Sequence, residues 1–440
     1  MRLIIEGGNK IMHIKFETKK SFEFRYIPLF HYLFAGKSLI SGLIFIFVFY
    51  AFNSCGSVEN SEYWVGTWNT APQLVEPHNM PPAPGLSENT LRQVICNSIG
   101  GDSIRVRFSN EFSTSPVTMK AVHIAVSAGG SAIDPATDLV VKFDGKQEVT
   151  IAPGSEITSD PFGYALQPRT NLAITIYYGN TSPDVTGHPG SRTTSYIVPG
   201  NAVSAVDLPD AVTTDHWYTI NGIDVVASEP TAAIAVMGNS ITDGRGSGTN
   251  KQNRWPDELA KRLLENPETK NVAVLNQGIG GNCVLRQCLG PSALDRFERD
   301  VIKQSGVRWL IIFEGINDIG GSRNKDDALR VVGDLIAAYD RMIDSAKAEG
   351  IHVYGATLLP FGGSFYDSPD HEMARAKVNE WIRTSGRFDA VIDLEAALAD
   401  PQNPLHLLPD ADTGDHLHPN ETGYRMIAEA VDLMLFQQQK

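Results

Sequence analysis

The sequence predicts two successive folds in one chain: an antiparallel β-sandwich, then a three-layer α/β domain on a parallel sheet of five strands. Two observations carry this. From residue 63 to 228, short runs of alternating apolar and polar residues are punctuated, roughly every ten to fifteen residues, by clusters of Gly, Pro, Asn and Asp, with hardly a helix between. From Thr231 onward, apolar strands alternate instead with amphipathic helices, as parallel pairing requires, because each crossover must carry the chain back across the sheet.

The sandwich strands are "SIRVRFSN", "MKAVHIAVSA", "LVVKFDG", "QEVTIAPG", "NLAITIYYGN" and "TINGIDVVAS", each presenting one apolar face. Their number and spacing suit a jelly-roll-like sandwich. The parallel strands are "AIAVMG", "NVAVLNQG", "RWLIIFEG", "HVYGATLLP" and "AVIDLE". The helix predicted from Asp326 to Glu349 repeats Leu329, Val332, Leu335, Ile336, Tyr339, Met342 and Ile343 at helical spacing. With 440 residues the chain exceeds one usual domain. The division expected is 1–55 as a leader, 56–62 as a tether, 63–228 as sandwich and 229–440 as the α/β domain.

The leader differs in kind from the rest. Lys10, Lys15, Lys19, Lys20, Arg25 and Lys37 precede "LISGLIFIFVFYAFNSCGS", whose apolar run of about fourteen residues is short for a membrane span and suits a signal core. It ends in small residues and Cys55, followed by the polar "GSVENSEY". This resembles a bacterial lipoprotein signal, which implies acylation of Cys55, attachment through a lipid anchor, and export to the periplasm or outer membrane. Phe52 and Asn53 are larger than that pattern prefers, and the long basic region admits Met12 as the true start. A plain cleaved signal and a retained anchor remain open. Export permits disulfides, and Cys283 and Cys288, five apart in a Gly-rich loop, form the candidate pair, with Cys96 left as a buried small hydrophobe. The net charge of -14, with no basic cluster in the folded part, argues against a nucleic-acid partner.

In "VMGNSITDGRG" an apolar strand stops in a small polar turn with Ser240 at its centre. Ser240 is either a helix cap or a nucleophile, since ligands of open parallel sheets gather at the carboxyl ends of the strands. Three further clusters follow later strands or precede the last helix: "NQGIGGN" (Asn276–Asn282), "EGIND" (Glu314–Asp318) and "DTGDHLHPN" (Asp412–Asn420). Each alone reads as a turn, a loop start or a cap. Together, in order, they should converge on one edge.

These four blocks, spanning Thr231 to about Leu435, resemble those of the SGNH (GDSL-type) hydrolase superfamily of esterases and lipases. The resemblance implies a nucleophile at Ser240, an oxyanion hole of Ser240, Gly281 and Asn317, and a triad completed by Asp415 and His418. It implies no cofactor and no metal. Asn239 stands where the family usually has aspartate, which affects local hydrogen bonding rather than the triad.

The residue types fit acyl transfer. A serine hydroxyl needs a base within hydrogen-bond reach, an imidazole supplies one, and an aspartate three residues before it can fix the tautomer. His416 competes with His418, but it adjoins Asp415, and neighbouring side chains in a turn seldom point to one place. An apparent pKa near or above about 6.5 is expected for His418, because Asp415 favours the charged ring. A metal at Asp410, Asp412, Asp415, His416 and His418 would lack ligands elsewhere in the sequence.

The expected activity is a serine esterase removing acyl groups, acetyl first, from a polysaccharide or oligosaccharide. The leading partner is thus an acylated glycan or other small ester. A lipase or phospholipase would want a long apolar lid, which is not seen, and a decayed glycan-binding lipoprotein would not need Ser240, Asp415 and His418 intact. Trp64, Trp68, Trp217, Tyr218, Tyr177 and Tyr178 could stack on sugars or fill the sandwich core, and "GHPGSRTTSY" (Gly187–Tyr196) could overhang the site or lie exposed.

Overall fold

In the computed structural model, residues 3–8, 11–16 and 62–437 are described. The chain separates into Met1–Ser61 and Glu62–Lys440. Within the first unit, Leu3–Gly8 and Ile11–Phe16 pair as an antiparallel hairpin. The apolar leader core and Cys55 lie outside the described residues. No helix among those described is long and apolar enough to cross a membrane.

The second unit begins with the antiparallel strands the alternation predicts. One sheet carries Val117–Gly129, Asn171–Tyr178, Asn89–Cys96 and Ser195–Pro199 at its centre; the other carries Gly101–Ser109, Ile220–Ala227 and Tyr63–Asn69. Their inward residues, among them Leu91, Ile104, Phe108, Val122, Ile174 and Val225, are fully buried together. A small third sheet, Trp217–Tyr218 with Thr186–His188 and Gln73–Leu74, leads from the sandwich toward the α/β half.

The α/β half is a five-stranded parallel sheet in the order Val272–Gly278, Ala232–Gly238, Val307–Phe313, His352–Ala356, Ala390–Ile392. Strand order reverses at Ala232–Gly238, which opens a crevice at its carboxyl end. Alternate residues of this strand feed opposite layers: Ile234 and Val236 pack toward the helices Trp255–Glu265 and Glu421–Ala430, while Ala235 and Met237 pack toward Lys325–Ala348 and Pro369–Thr384.

Two details go beyond the sequence pattern. On one face the edge strand is covered by the sandwich rather than by a helix: Ala273 and Leu275 join the sandwich core, and Gly66 lets the strands meet, since a Cβ there would come within 3.0 Å of Leu275. The Ser98 hydroxyl donates to Val274 O (2.9 Å) in the same seam. The helix expected at 326–349 runs Lys325–Ala348, and Leu329 is exposed rather than core. Val332, Leu335, Tyr339, Met342 and Ile343 are buried as expected, and Ala328, Val331, Ala338 and Ala346 complete the stripe, the alanines letting the helix lie close on the sheet.

Candidate active site

The strand Ala232–Gly238 ends in a turn, and a one-turn helix follows at Ser240–Asp243. Its cap is Asn239, whose side chain accepts the Ile241 amide at 3.1 Å. Capping therefore falls to the residue before Ser240, and the Ser240 hydroxyl is left for another partner: its Oγ lies 2.8 Å from His418 Nε2. Gly278 allows the neighbouring strand to pass beneath this turn, since a Cβ there would stand 2.3 Å from the Asp243 amide nitrogen. Asn276 then ties the two together by donating to Thr242 O at 2.9 Å.

His418 is buried just ahead of the last long helix. Its Nδ1 donates to Asp415 Oδ2 at 2.7 Å, which leaves Nε2 to accept the serine hydroxyl. Asp415 is itself fixed, because Oδ1 accepts the amides of Leu417 (3.0 Å) and His418 (2.9 Å) and the Thr413 hydroxyl (3.0 Å). Burial pushes the Asp415 carboxyl up, but the His418 amide and ring and the Leu417 amide outweigh it, holding the group well below the usual carboxylate range. His416 is exposed and turns instead to Asp412, 2.7 Å away.

For His418 the structure reverses the direction expected from sequence. Burial lowers its proton affinity more than Asp415 raises it, and Arg245 and Arg192 lower it further, so its pKa lies below the ordinary value of 6.5. A spacing of two groups conveys the carboxylate but neither the desolvation nor the distant cations.

Gly281, in the left-handed region at φ 69°, and Asn317, in the short helix Ile316–Gly320, line the same cavity as Ser240 and His418. The Asn317 side-chain amide is held at both ends: Nδ2 donates to Asn282 O (2.7 Å), and Oδ1 accepts the Tyr366 hydroxyl (3.0 Å). One Nδ2 proton remains for the cavity. Beneath the turn, fully buried Arg296 donates to Gln277 O (2.6 Å) and Gly238 O (3.2 Å), clipping together the ends of two strands. Glu314 faces this guanidinium, and burial pushes its carboxyl up to about 8.

Cys283 and Cys288 are bonded to each other. The amides of Val284 and Leu285 beside them donate to Asp318, so the fourth residue of "GIND" anchors the loop that follows Gly281. Cys96 is free and buried, and burial pushes its thiol up to about 11.

The cavity measures about 320 Å³, and the sandwich forms one side of it. The segment Gly187–Tyr196 is part of that wall: Pro189, Gly190 and Arg192 line the cavity, while His188 is buried behind, its Nε2 2.8 Å from Asp243 Oδ1 and its Nδ1 2.9 Å from Ala71 O. The aromatic candidates for sugar stacking divide. Trp68, Trp217, Tyr218 and Tyr178 are core residues, whereas Trp64 and Tyr177 are half-buried under Arg105 and Lys120.

Sequence reading did not identify Tyr366, Asp243 or Arg245. Asp243 stands three residues after Ser240 on the same short helix, a spacing that could have marked it. Tyr366 and Arg245 sit in irregular loops without a periodic signal.

A model of the GDSL-like lipase/acylhydrolase family matches residues 236–426. Among curated proteins none matches the chain. Solved structures that resemble it include a GDSL-like lipase from Bacteroides thetaiotaomicron, 21% identical over 46% of this chain and 89% of that one, with a TM-score of 0.33. An acetyl xylan esterase from Geobacillus stearothermophilus is 22% identical over 45% of this chain and 92% of its own, with a TM-score of 0.35. An α/β hydrolase from the metagenome of Lake Arreo is 17% identical over 46% and 94%, with a TM-score of 0.33.

Proposed function

We propose that the chain, whose residues 236–426 match the GDSL-like lipase/acylhydrolase family, is a serine esterase that removes small acyl groups, acetyl first among them, from a carbohydrate. The observation that carries the reading is the hydrogen-bonded line from Ser240 Oγ through His418 to Asp415. Ser240 Oγ attacks the ester carbonyl while His418 Nε2 takes its proton, and Asp415 steadies the imidazolium. The tetrahedral oxyanion is met by the amides of Ser240 and Gly281 and by the free Nδ2 proton of Asn317. Collapse expels the sugar alcohol, which takes the proton from His418, and leaves an acyl group on Ser240. Water, deprotonated by the same imidazole, then releases the acid.

The small acyl group is supported by the polar side chains of the cavity lining, Gln73, Asn79 and Asn317 among them, which stand beside the apolar Leu289, Phe365 and Leu417. The test is a series of aryl esters beside acetylated polysaccharides: turnover falls as the chain lengthens from acetyl to octanoyl, and Ser240→Ala releases no acetate. Turnover rising with chain length would favour a lipase instead.

The basic leader, its apolar run and Cys55 support export and lipid anchoring of the same chain. Cys55→Ser should free the protein from the membrane fraction or stall its processing; normal processing with unchanged attachment would contradict acylation.

A further inference from the structure

Two guanidinium groups face the cavity without a partner. Arg192 comes from the sandwich and Arg245 from the loop after the nucleophile helix, and both line the wall that holds Ser240 and His418. Among the described residues neither side chain meets a carboxylate, and the Nε of Arg192 is buried with no acceptor at all. Of the acids nearby, Asp415 holds His418, Asp243 meets His188 through Oδ1 while its Oδ2 is buried without a partner among the described residues, and Glu76 accepts Gln73 (2.6 Å) and Asn79 (3.0 Å). Arg254, close behind, has Asp257 at 3.0 Å. The two unpaired cations thus stand apart from the arginines that serve the fold.

The chain also holds Arg192 at some cost. Its φ is 50°, in the left-handed region that side chains other than Asn and Asp seldom adopt. That geometry is enforced from several sides: Arg192 O accepts the Asn250 amide (2.9 Å), Asn250 Oδ1 accepts the Thr194 amide (2.8 Å), and Arg254 donates to Ser191 O. Gly190 packs so tightly on the nucleophile helix that a Cβ would stand 1.9 Å from Asp243 Oδ2. Strain kept by surrounding bonds at a cavity wall fixes where the Arg192 side chain starts, as ligand-clamping positions require.

We infer that Arg192 and Arg245 form a subsite for a carboxylate on the alcohol portion of the substrate, so that the ester removed sits on an acidic sugar of the uronic acid class. The inference rests on the esterase reading and refines its substrate. A guanidinium presents a planar fork of donors that matches a carboxylate in two parallel bonds, and such charge-assisted bonds exceed neutral ones in strength. It also gives the sandwich a function, since one of the two cations can come only from that half of the chain.

The experiment compares acetate release from O-acetylated polygalacturonate with release from the same polymer after its carboxyls are reduced to alcohols. The native enzyme should prefer the acidic polymer in kcat/KM by about tenfold or more, which is about 1.4 kcal/mol. Arg192→Gln and Arg245→Gln should each shrink that preference mainly through KM, and Arg192→Lys should retain part of it. In a Ser240→Ala background, calorimetric binding of oligogalacturonate should weaken with the same substitutions, while thermal unfolding reports that each variant is folded. Equal turnover of the two polymers, or a preference that survives in the double variant, overturns the subsite and leaves the esterase standing. Hydrolysis of p-nitrophenyl acetate that persists without Ser240 overturns the esterase itself.

Discussion

The Tyr366 hydroxyl is predicted to act on the rate through Asn317 without touching the substrate. Tyr366→Phe removes one hydrogen bond, the 3.0 Å contact to Asn317 Oδ1, and leaves the 2.7 Å contact from Nδ2 to Asn282 O in place. The amide then keeps its preferred orientation, because a flip would set Oδ1 against a carbonyl oxygen, but it is held from one side only. A neutral hydrogen bond of this kind contributes about 0.5–1.5 kcal/mol, so kcat should fall about 2- to 12-fold with KM little changed. Asn317→Ala, which removes the donor itself, should cost about 10²- to 10³-fold. Burial raises the Tyr366 pKa above 10.0, so the hydroxyl donates across the neutral range and the effect should not depend on pH there. The assay is steady-state hydrolysis of p-nitrophenyl acetate, with thermal unfolding as the check on folding. A Tyr366→Phe enzyme with unchanged kcat, or an Asn317→Ala enzyme within threefold of the native one, would refute the assigned geometry.

Further outcomes follow from the same contacts. The base must be neutral, so kcat/KM should fall on the acid side with an apparent pKa below 6.5, and removing Arg192 or Arg245 should move that limb upward, since both cations lower the His418 value. A limb well above 6.5, or one abolished by His416→Ala, would contradict the assignment of the base. Gly190→Ala should destabilise the Glu62–Lys440 unit by about 1–3 kcal/mol, because the new methyl would overlap the Asp243 carboxylate; calorimetric unfolding at the native temperature would contradict that packing.

Much of the fold was legible because it follows from period. Alternation over "NLAITIYYGN" and the apolar run of Ala232–Gly238 each admit one kind of sheet, and Ser240, Gly281 and Asn317 stand in polar blocks just after strands, with Asp415 and His418 just before the last long helix. What spacing cannot express is contact between distant segments. The sandwich reaches the site through Gly190 and Arg192, at positions far from any of the four blocks, and His188 meets Asp243 across 55 residues. The same limit explains the reversed shift of His418. Its carboxylate lies three residues away in sequence, whereas its burial and the Arg192 and Arg245 charges arise only from the folded chain.

The central claim is that the hydroxyl of Ser240, activated by His418, is the nucleophile. The most direct measurement is covalent labelling of the folded chain with a fluorophosphonate, followed by peptide mass spectrometry. The account predicts one modified residue, Ser240, with labelling lost in Ser240→Ala and strongly slowed in His418→Ala but not in His416→Ala. Modification at another residue, or ester hydrolysis that survives in Ser240→Ala, would contradict it.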